Sequence, residues 1–435
     1  MKMAIMSPGS SEAATLEREG DHTDAPELRP FVMALFFIFG GITSLNDVII
    51  PKLKDLFTLN YMQAMLVQTA FFAAYAIMSI PGAALVKKVG YMQGTVIGLL
   101  AMMAGCLLFI PASATATFGL FLLALFVLAS GVTIVQVVAN PLISLLGPPA
   151  TVHSRLTFAQ AFNSLGTTVF PYFGAILILG GLANVDASAL EGAALDAYRA
   201  AETQTVMRAY LGLAFALALV AIVVWINRHR LKNERHDGGS IAASFGLLRR
   251  PRFSFGTLSI FLYVGAEVAI GSVIVNYLGE QRVLGLADRV AGQLIPLYWG
   301  GALIGRFVGS ALLRAINPGK VLAFNALGAI VLIAVSVSTT GVIAGYSLLA
   351  IGLMNSIMFP TIFSLASEGL GPRAADGSGV ICVAIVGGAI IPPLTGHLAD
   401  LTGSLSTALV LPAFCYLLIA AFGLYARRRS ADVSI

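Results

Sequence analysis

Twelve apolar stretches follow one another along this 435-residue chain. Most of them reach the length of about 20 residues at which an apolar α-helix crosses the hydrocarbon core of a bilayer and satisfies its backbone polar groups internally. Charged residues make up only 11% of the chain, whereas a soluble domain has about a quarter. We therefore predict an all-α membrane protein whose twelve transmembrane helices lie at 31–51, 61–86, 92–113, 117–145, 155–180, 205–227, 253–278, 289–313, 320–340, 343–367, 377–399 and 405–426.

The predicted helices fall into two sets of six, separated by a polar interval rich in arginine. The segment before the first apolar stretch is polar and acidic, and no basic region leads into a short apolar core as in a signal peptide. The predicted organisation is a disordered cytoplasmic tail at 1–30, an N-terminal six-helix bundle at 31–228, a basic cytoplasmic linker at 229–252, a C-terminal six-helix bundle at 253–428 and a cytoplasmic tail at 429–435.

The orientation follows from the distribution of Lys and Arg between alternate helix ends. With both termini inside, the inner ends hold the arginine-rich linker and residues such as Lys87, Arg155 and Arg314, and few cations remain outside. Inner loops of membrane proteins carry an excess of Lys and Arg. The sequence therefore predicts that both termini are cytoplasmic.

The two halves look like copies of one six-helix unit. Gly166 and Gly387 stand in corresponding helices, and Asp47 and Glu267 in helices 1 and 7 are separated by almost the same offset along the chain. Transporters are built from such repeats, with the ligand site at the interface of the halves near the middle of the bilayer. We expect two pseudo-symmetric bundles arranged in this way.

Asp47 and Glu267 are the acidic residues that lie deep inside predicted spans. An ionisable group in the membrane is costly and usually marks a functional site. Burial disfavours the charged form of a carboxyl, which suits a group that takes up and releases a proton. The alternative is a carboxyl neutralised permanently by a neighbouring donor.

Side-chain amides are the second polar feature of the predicted spans. Amides both donate and accept hydrogen bonds, so they match the vicinal hydroxyls of a sugar; alternatively, they join helices to one another. Trp299 could stack on a sugar ring or simply pack in an apolar span, and Asn355 of helix 10 is a further candidate. The candidate substrate-binding residues are Asn46, Gln136, Asn140, Gln160, Asn163, Asn276 and Trp299.

The chain resembles the major facilitator superfamily, and within it the fucose permease-like sugar:proton symporters of the glucose/galactose transporter group. The motifs that carry the resemblance are Leu45–Pro51, Gln136–Pro141, Arg155–Gly166, Tyr263–Val268 and Tyr298–Gly301.

By this resemblance, Asp47 matches the proton-linked aspartate of the family, and Gln160 and Asn163 match amides of the sugar cavity. Fucose permeases carry a functional glutamate where this chain has Gln136, and they lack the glutamate found here as Glu267. The resemblance implies glucose or galactose ahead of fucose as the substrate, and a bacterial inner-membrane location.

The function expected from the sequence is import of a neutral hexose by proton symport with alternating access. Asp47 is expected to bind the proton, and Glu267 to be either a second proton site or a direct sugar ligand. A sodium-coupled sugar symporter and a proton-coupled drug or metabolite antiporter are the alternatives. The chain shows no nucleophile–base set, clustered metal ligands or phosphate-binding loop, so we expect no enzyme activity, cofactor, metal or nucleic-acid partner. The expected partners are a sugar, a proton (with sodium as the alternative ion) and the lipid bilayer, and we expect a monomer.

Overall fold

The computed structural model describes residues 26–57, 61–174, 192–229 and 244–428, and helices account for most of them. The first half contains α1 (Arg29–Leu56), α2 (Tyr61–Val89), α3 (Tyr91–Thr115), α4 (Phe118–Leu145), α5 (Val152–Gly174) and α6 (Ala193–Ile226). The second half contains α7 (Pro251–Gly279), α8 (Ile295–Leu312), α9 (Pro318–Ser338), α10a (Gly341–Asn355), α10b (Met358–Ala366), α11a (Ala374–Val383), α11b (Gly387–Thr402) and α12 (Val410–Ala426). Short helical turns lie at Pro26–Leu28, Pro149–Thr151, Gly246–Arg249, Asp288–Gly292, Gly371–Arg373, Ala384–Val386 and Leu405–Ala408.

The twelve predicted spans correspond to these helices, which confirms the all-α membrane fold. Within the described ranges, nine helical segments are long and apolar enough to cross a membrane. Most of the predicted tail at 1–30, part of the linker at 229–252 and the tail at 429–435 lie outside the described residues, so these boundaries stay predictions.

Three helices differ from their predicted form. α6 begins at Ala193 and not at position 205 as predicted, because Ala-rich polar sequence can continue a helix beyond its apolar run. The predicted span at 343–367 is broken between Asn355 and Met358, and the span at 377–399 contains a 3₁₀ turn at Ala384–Val386.

The repeat predicted from sequence is visible in how glycines pack corresponding helices. A Cβ on Gly166 of α5 would overlap the Phe37 carbonyl oxygen of α1. In the second half, a Cβ on Gly387 of α11b would overlap the Phe261 carbonyl oxygen of α7. No other residue fits so close to the backbone of a neighbouring helix, so both glycines fix the same helix pairing in the two halves.

The two halves meet along α2 with α11a and along α5 with α8. We call the side of the molecule that carries Lys87, Arg155, Arg314 and Asp376 the basic side. It holds the starts of α1, α5 and α11a and the ends of α2, α4 and α8.

Candidate functional site

A largely buried polar centre occupies the second half, where α7, α8, α10a and α12 meet. Tyr416 Oη donates to Asn355 Oδ1 (2.8 Å), and Asn355 Nδ2 donates to Tyr298 Oη (2.8 Å). Tyr298 Oη in turn donates to the Glu267 carbonyl oxygen (3.1 Å), and Tyr263 Oη lies 2.7 Å from Glu267 Oε1. We call these five residues the tyrosine centre. Its internal bonds hold the Glu267 backbone and carboxyl in one place.

The break in α10 supplies acceptors to this centre and to the interface. Pro360 has no N–H, so the Ser356 carbonyl four residues earlier loses its helical partner. Arg306 Nε donates to that carbonyl (3.0 Å), and Tyr263 Oη reaches the neighbouring Asn355 carbonyl (3.1 Å). The break therefore offers two carbonyl oxygens to side chains from α8 and α7.

Tyr263 stands between two acceptors, Glu267 Oε1 and the Asn355 carbonyl. A phenol carries a single proton, so it can make only one strong donor bond at a time. An ionised Glu267 attracts that proton, since bonds to charged acceptors are the stronger ones. A neutral Glu267 can donate its own proton to Tyr263 Oη and release the tyrosine proton to Asn355. The protonation state of Glu267 thus selects between two arrangements.

The first half presents a group of amides on α4 and α5 that is less completely bonded. Tyr75 Oη donates to Gln136 Oε1 (2.8 Å), and Gln160 Nε2 lies 3.5 Å from Asn140 Oδ1. The Asn140 Nδ2 group is fully buried and has no hydrogen-bond partner among the described residues. Asn163 Nδ2 donates to the Phe36 carbonyl of α1 (3.3 Å), so Asn163 joins two helices. Asn140 Nδ2 is therefore an unused donor inside the bundle.

Arg306 connects the two polar regions across the interface of the halves. Its guanidinium is buried, and Nη1 donates to the Gln160 carbonyl of α5 (3.0 Å) and to Ser164 Oγ. The same side chain holds the Ser356 carbonyl at the break in α10. The guanidinium of Arg306 therefore links the α10 break to α5, the helix that carries the candidate sugar-binding residues Gln160 and Asn163.

Ionic contacts close the interface on the basic side. Lys87 Nζ of α2 lies 3.1 Å from both carboxylate oxygens of Asp376 in α11a, and Ser244 Oγ donates to the same carboxylate (2.8 Å). Both charges of the pair are almost fully buried. Breaking such a pair on one side leaves an uncompensated buried charge, which is costly, so this contact holds the two halves together.

A second closure involves a histidine at the start of α5. His153 Nδ1 lies 2.7 Å from Ser364 Oγ of α10b, and His153 Nε2 lies 3.2 Å from Glu368 Oε1. Arg252 of α7 pairs with the other oxygen of Glu368, and Arg314 Nε donates to Ser154 Oγ (3.2 Å). The halves are thus joined at several points on this side.

Among the remaining candidates, Asn276 and Trp299 belong to neither polar group. The side chains of Asn46 and Asp47 are outside the described part of the structure. Asn276 is exposed on α7. Trp299 is 41% exposed and lies edge-on to Tyr298, so it is free on one side. Over the described ranges, no group of His, Cys, Asp and Glu side chains could hold a metal ion.

Sequence reasoning missed Tyr75, Tyr263, Tyr416 and Arg306 as members of these networks. Tyr263 and Glu267 stand at i and i+4 on one helix, a spacing that places side chains together and could have identified the pair. Tyr75 and Gln136 are 61 residues apart and Arg306 and Gln160 are 146 apart. No local pattern marks those contacts.

Comparisons with known proteins agree with this architecture. Residues 32–384 match the Major Facilitator Superfamily. The chain is 50% identical over 390 residues to the glucose/galactose transporter of Brucella abortus, covering 90% of this chain and 92% of that one. It is 33% identical over 428 residues to the L-fucose-proton symporter of Escherichia coli, covering 95% of this chain and 98% of that one.

Among solved structures, the chain is similar to a Major Facilitator Superfamily transporter, FucP, in the outward conformation. The TM-score is 0.85 at 32% identity, and the match covers 92% of this chain and 99% of that one. These relatives are named as transporters, and the predicted resemblance is confirmed. The chain therefore belongs to the Major Facilitator Superfamily, as a multi-pass membrane transporter and not an enzyme.

Proposed function

We propose that this transporter imports a neutral hexose, glucose or galactose ahead of fucose, together with a proton. The observation that carries the proposal is the pairing of two unlike polar regions on either side of one interface. Gln136, Asn140 and Gln160 offer amide groups in the first half, and Glu267 offers a carboxyl in the second. The names of the Brucella and Escherichia relatives support a sugar as the substrate.

The amides are proposed to bind the sugar hydroxyls. A sugar hydroxyl both donates and accepts, as an amide does, and the unpartnered Asn140 Nδ2 is a donor that a hydroxyl oxygen could satisfy. Asn46 and Asn163 would extend this surface along α1 and α5, and Trp299 would offer a partly exposed ring for stacking. Asn276 is exposed and lies on α7, where it would reach sugar only near the entrance.

Glu267 is proposed as a proton site, together with Asp47. Among the described residues, no cation lies within ion-pair distance of Glu267, and its carboxyl bonds to a neutral tyrosine. An ionised carboxyl here is not neutralised by a fixed partner, so a proton can arrive and leave. Asp47 is included as a proton site because its position in the first half corresponds to that of Glu267 in the second. It also matches the family's proton-linked aspartate.

The tyrosine centre would then link protonation to conformation. A proton on Glu267 moves the Tyr263 hydroxyl to the Asn355 carbonyl, next to the Ser356 carbonyl that Arg306 holds. Arg306 contacts α5 of the other half, so the change reaches the interface. A ligand shifts a conformational equilibrium only through different affinities for the two states, and this pair of arrangements provides such a difference.

The described state is proposed to be outward-facing. The ionic contacts lie on the basic side, which the distribution of Lys and Arg makes cytoplasmic, and the similar FucP structure is in the outward conformation. In this reading the protein is a monomer in a bacterial inner membrane with both termini inside.

The test is sugar uptake into proteoliposomes containing the wild type, Asp47→Asn and Glu267→Gln. Glu280→Gln is the matched control, because Glu280 follows α7 and pairs with Arg282 outside the apolar span. An inward proton gradient is imposed without sodium, with glucose, galactose or fucose outside.

We expect uphill uptake in the wild type and in Glu280→Gln. Glu267→Gln and Asp47→Asn should lose proton-driven uptake while sugar counterflow, which needs no net proton movement, continues. Uptake that requires a sodium gradient would show that sodium, and not the proton, is the coupled ion. Absence of sugar uptake under either gradient would overturn the sugar proposal and favour an antiporter.

A further inference from the structure

A cavity of about 310 Å³ lies on the basic side, apart from the tyrosine centre and the amides. Residues from α1, from the region that joins α4 to α5, from α5 itself and from the end of α8 line it. They include Arg29, Met33, Ser154, Arg155, Phe158 and Arg314. In the described part of the chain, this lining contains three arginines and no carboxylate.

Two of the arginines donate to carbonyls at the end of α4, which balance their positive charge only in part. Arg155 donates to the carbonyls of Ile143, Ser144 and Gly147, and Arg29 Nε donates to the Leu146 carbonyl (2.8 Å). Helix-end carbonyls carry a partial negative charge of about half a unit in total. Two full positive charges beside one helix end leave an excess of positive charge.

Gly147 permits the two guanidinium groups to come together. Its φ of +134° is a backbone conformation that favours glycine. A Cβ at this position would stand 2.6 Å from Arg29 Nη2 and 3.2 Å from Arg155 Nη1. The two like charges therefore converge on one small backbone site.

Free guanidinium donors face this cavity and suit an anion. Within the described residues, neither terminal nitrogen of Arg29 has a hydrogen-bond partner, and Arg314 uses only Nε, toward Ser154. Arginine presents a planar fork of donors that matches a phosphate. Met33 and Phe158 add apolar surface beside these donors, which suits a ligand with a charged head and a hydrocarbon body.

We propose that this cavity binds the phosphate of an anionic phospholipid. Basic pockets between transmembrane helices on the cytoplasmic side are known to bind anionic headgroups. Arg29 belongs to the first half and Arg314 to the second, so one headgroup contacts both. The lipid then adds to the ionic contacts that close the basic side and stabilises that closed state. This inference depends on the arginine geometry and is independent of the proposed substrate.

The experiment measures lipid binding to the delipidated full-length protein in detergent by native mass spectrometry and by thermal stability. The probes are dioleoyl phosphatidylglycerol, dioleoyl phosphatidylcholine and inorganic phosphate. Arg29→Gln and Arg314→Gln test the site, and Arg155 is left unchanged because it caps α4. Arg249→Gln is the matched control, since Arg249 is exposed elsewhere on the basic side.

We expect phosphatidylglycerol to bind and stabilise the wild type while phosphatidylcholine does not. Each of Arg29→Gln and Arg314→Gln should weaken phosphatidylglycerol binding by about fivefold, the effect expected for one basic side chain at an anionic headgroup. Arg249→Gln should bind as the wild type does. Equal binding of both lipids, or an equal loss in Arg249→Gln, would overturn a specific site.

Two other anions could satisfy the same arginines, and each has its own outcome. Stabilisation by inorganic phosphate that matches the lipid would make this a phosphate site and overturn the lipid proposal. The acidic segment before residue 26 is the second alternative. If the wild type binds no phosphatidylglycerol, and changing Glu17, Glu19, Asp21 and Asp24 to the corresponding amides creates binding that Arg29→Gln removes, the segment is the occupant of the cavity and the lipid proposal falls.

Discussion

Pro141 of α4 and Pro360 of α10 stand 219 residues apart, close to the offset between Gly166 and Gly387, but the helices around the two prolines behave differently. α4 continues through Pro141 as one helix from Phe118 to Leu145, whereas α10 breaks ahead of Pro360. In the second half, Tyr263 and Arg306 take the carbonyls of Asn355 and Ser356 that the break exposes. The break is therefore stabilised by side chains that reach it, and a repeated sequence feature need not give a repeated structure.

The polar regions of the two halves also differ, in how completely their side chains are hydrogen-bonded. The tyrosine centre of the second half is closely bonded within itself, while the amides of the first half leave the buried Asn140 Nδ2 without a partner among the described residues. A saturated network fixes its members in place, and an unsaturated one keeps bonding capacity for a ligand. We infer that the second half positions a proton site and the first half binds substrate.

Substitution Asn355→Leu should have the largest effect on folding. It leaves the buried Tyr416 hydroxyl without its acceptor, while Tyr298 Oη loses the bond it accepts but still donates to the Glu267 carbonyl oxygen. One buried group left unsatisfied costs about 1–3 kcal/mol, so the free energy of unfolding should fall by about 1–3 kcal/mol. Chemical denaturation in mild detergent measures this loss.

The matched control is Asn325→Leu, on a buried asparagine of α9 that has no side-chain hydrogen bond among the described residues. Its unfolding free energy should change far less. Equal losses in the two variants would show that the tyrosine centre contributes no more than any buried polar side chain.

The sequence predicts much of this architecture, because hydrophobic length and charge placement are local properties. The spans, the repeat and the position of Glu267 inside a span all follow from patterns within one helix or from a fixed offset. Pro360 does not by itself predict the α10 break, since Pro141 leaves α4 continuous. The partners of the Ser356 carbonyl could not be predicted, because Arg306 reaches it from another helix and the choice depends on tertiary packing.

Substitution Asn140→Leu should affect binding far more than folding. In the described part of the chain, Asn140 Nδ2 has no partner and Asn140 Oδ1 lies 3.5 Å from Gln160 Nε2, so little intramolecular bonding is lost. We expect unfolding free energy to stay within about 1 kcal/mol and sugar affinity to fall about tenfold, the equivalent of one net hydrogen bond. Equilibrium sugar binding and denaturation of the same preparation test both parts.

Asn163→Leu on the neighbouring helix α5 is the variant to compare with Asn140→Leu. Asn163 Nδ2 already donates to the Phe36 carbonyl, so its loss should lower stability as well as affinity. If Asn140→Leu destabilises the protein as much as Asn163→Leu does, the contrast between an open and a bonded amide is wrong.

The smallest effect is expected from Gln136→Glu, which adds a carboxyl to the first half. Tyr75 Oη donates to Gln136 Oε1, and a carboxyl oxygen accepts the same bond, so at acid pH, where the buried carboxyl is neutral, unfolding free energy should change by less than about 1 kcal/mol. At acid pH the new carboxyl is protonated and donates as the amide did, so sugar affinity should stay within about threefold of wild type. At alkaline pH it only accepts, and affinity should fall further.

Sugar binding from pH 5 to pH 9 measures this effect of Gln136→Glu. The control is Gln293→Glu, because Gln293 is exposed between helices and a carboxyl there stays in water whether or not it is charged. A Gln136→Glu profile that falls at alkaline pH, beside an unchanged profile in the control, would place the side chain against the sugar. A profile identical to that of the wild type would remove Gln136 from the sugar surface and limit the candidate contacts of α4 to Asn140.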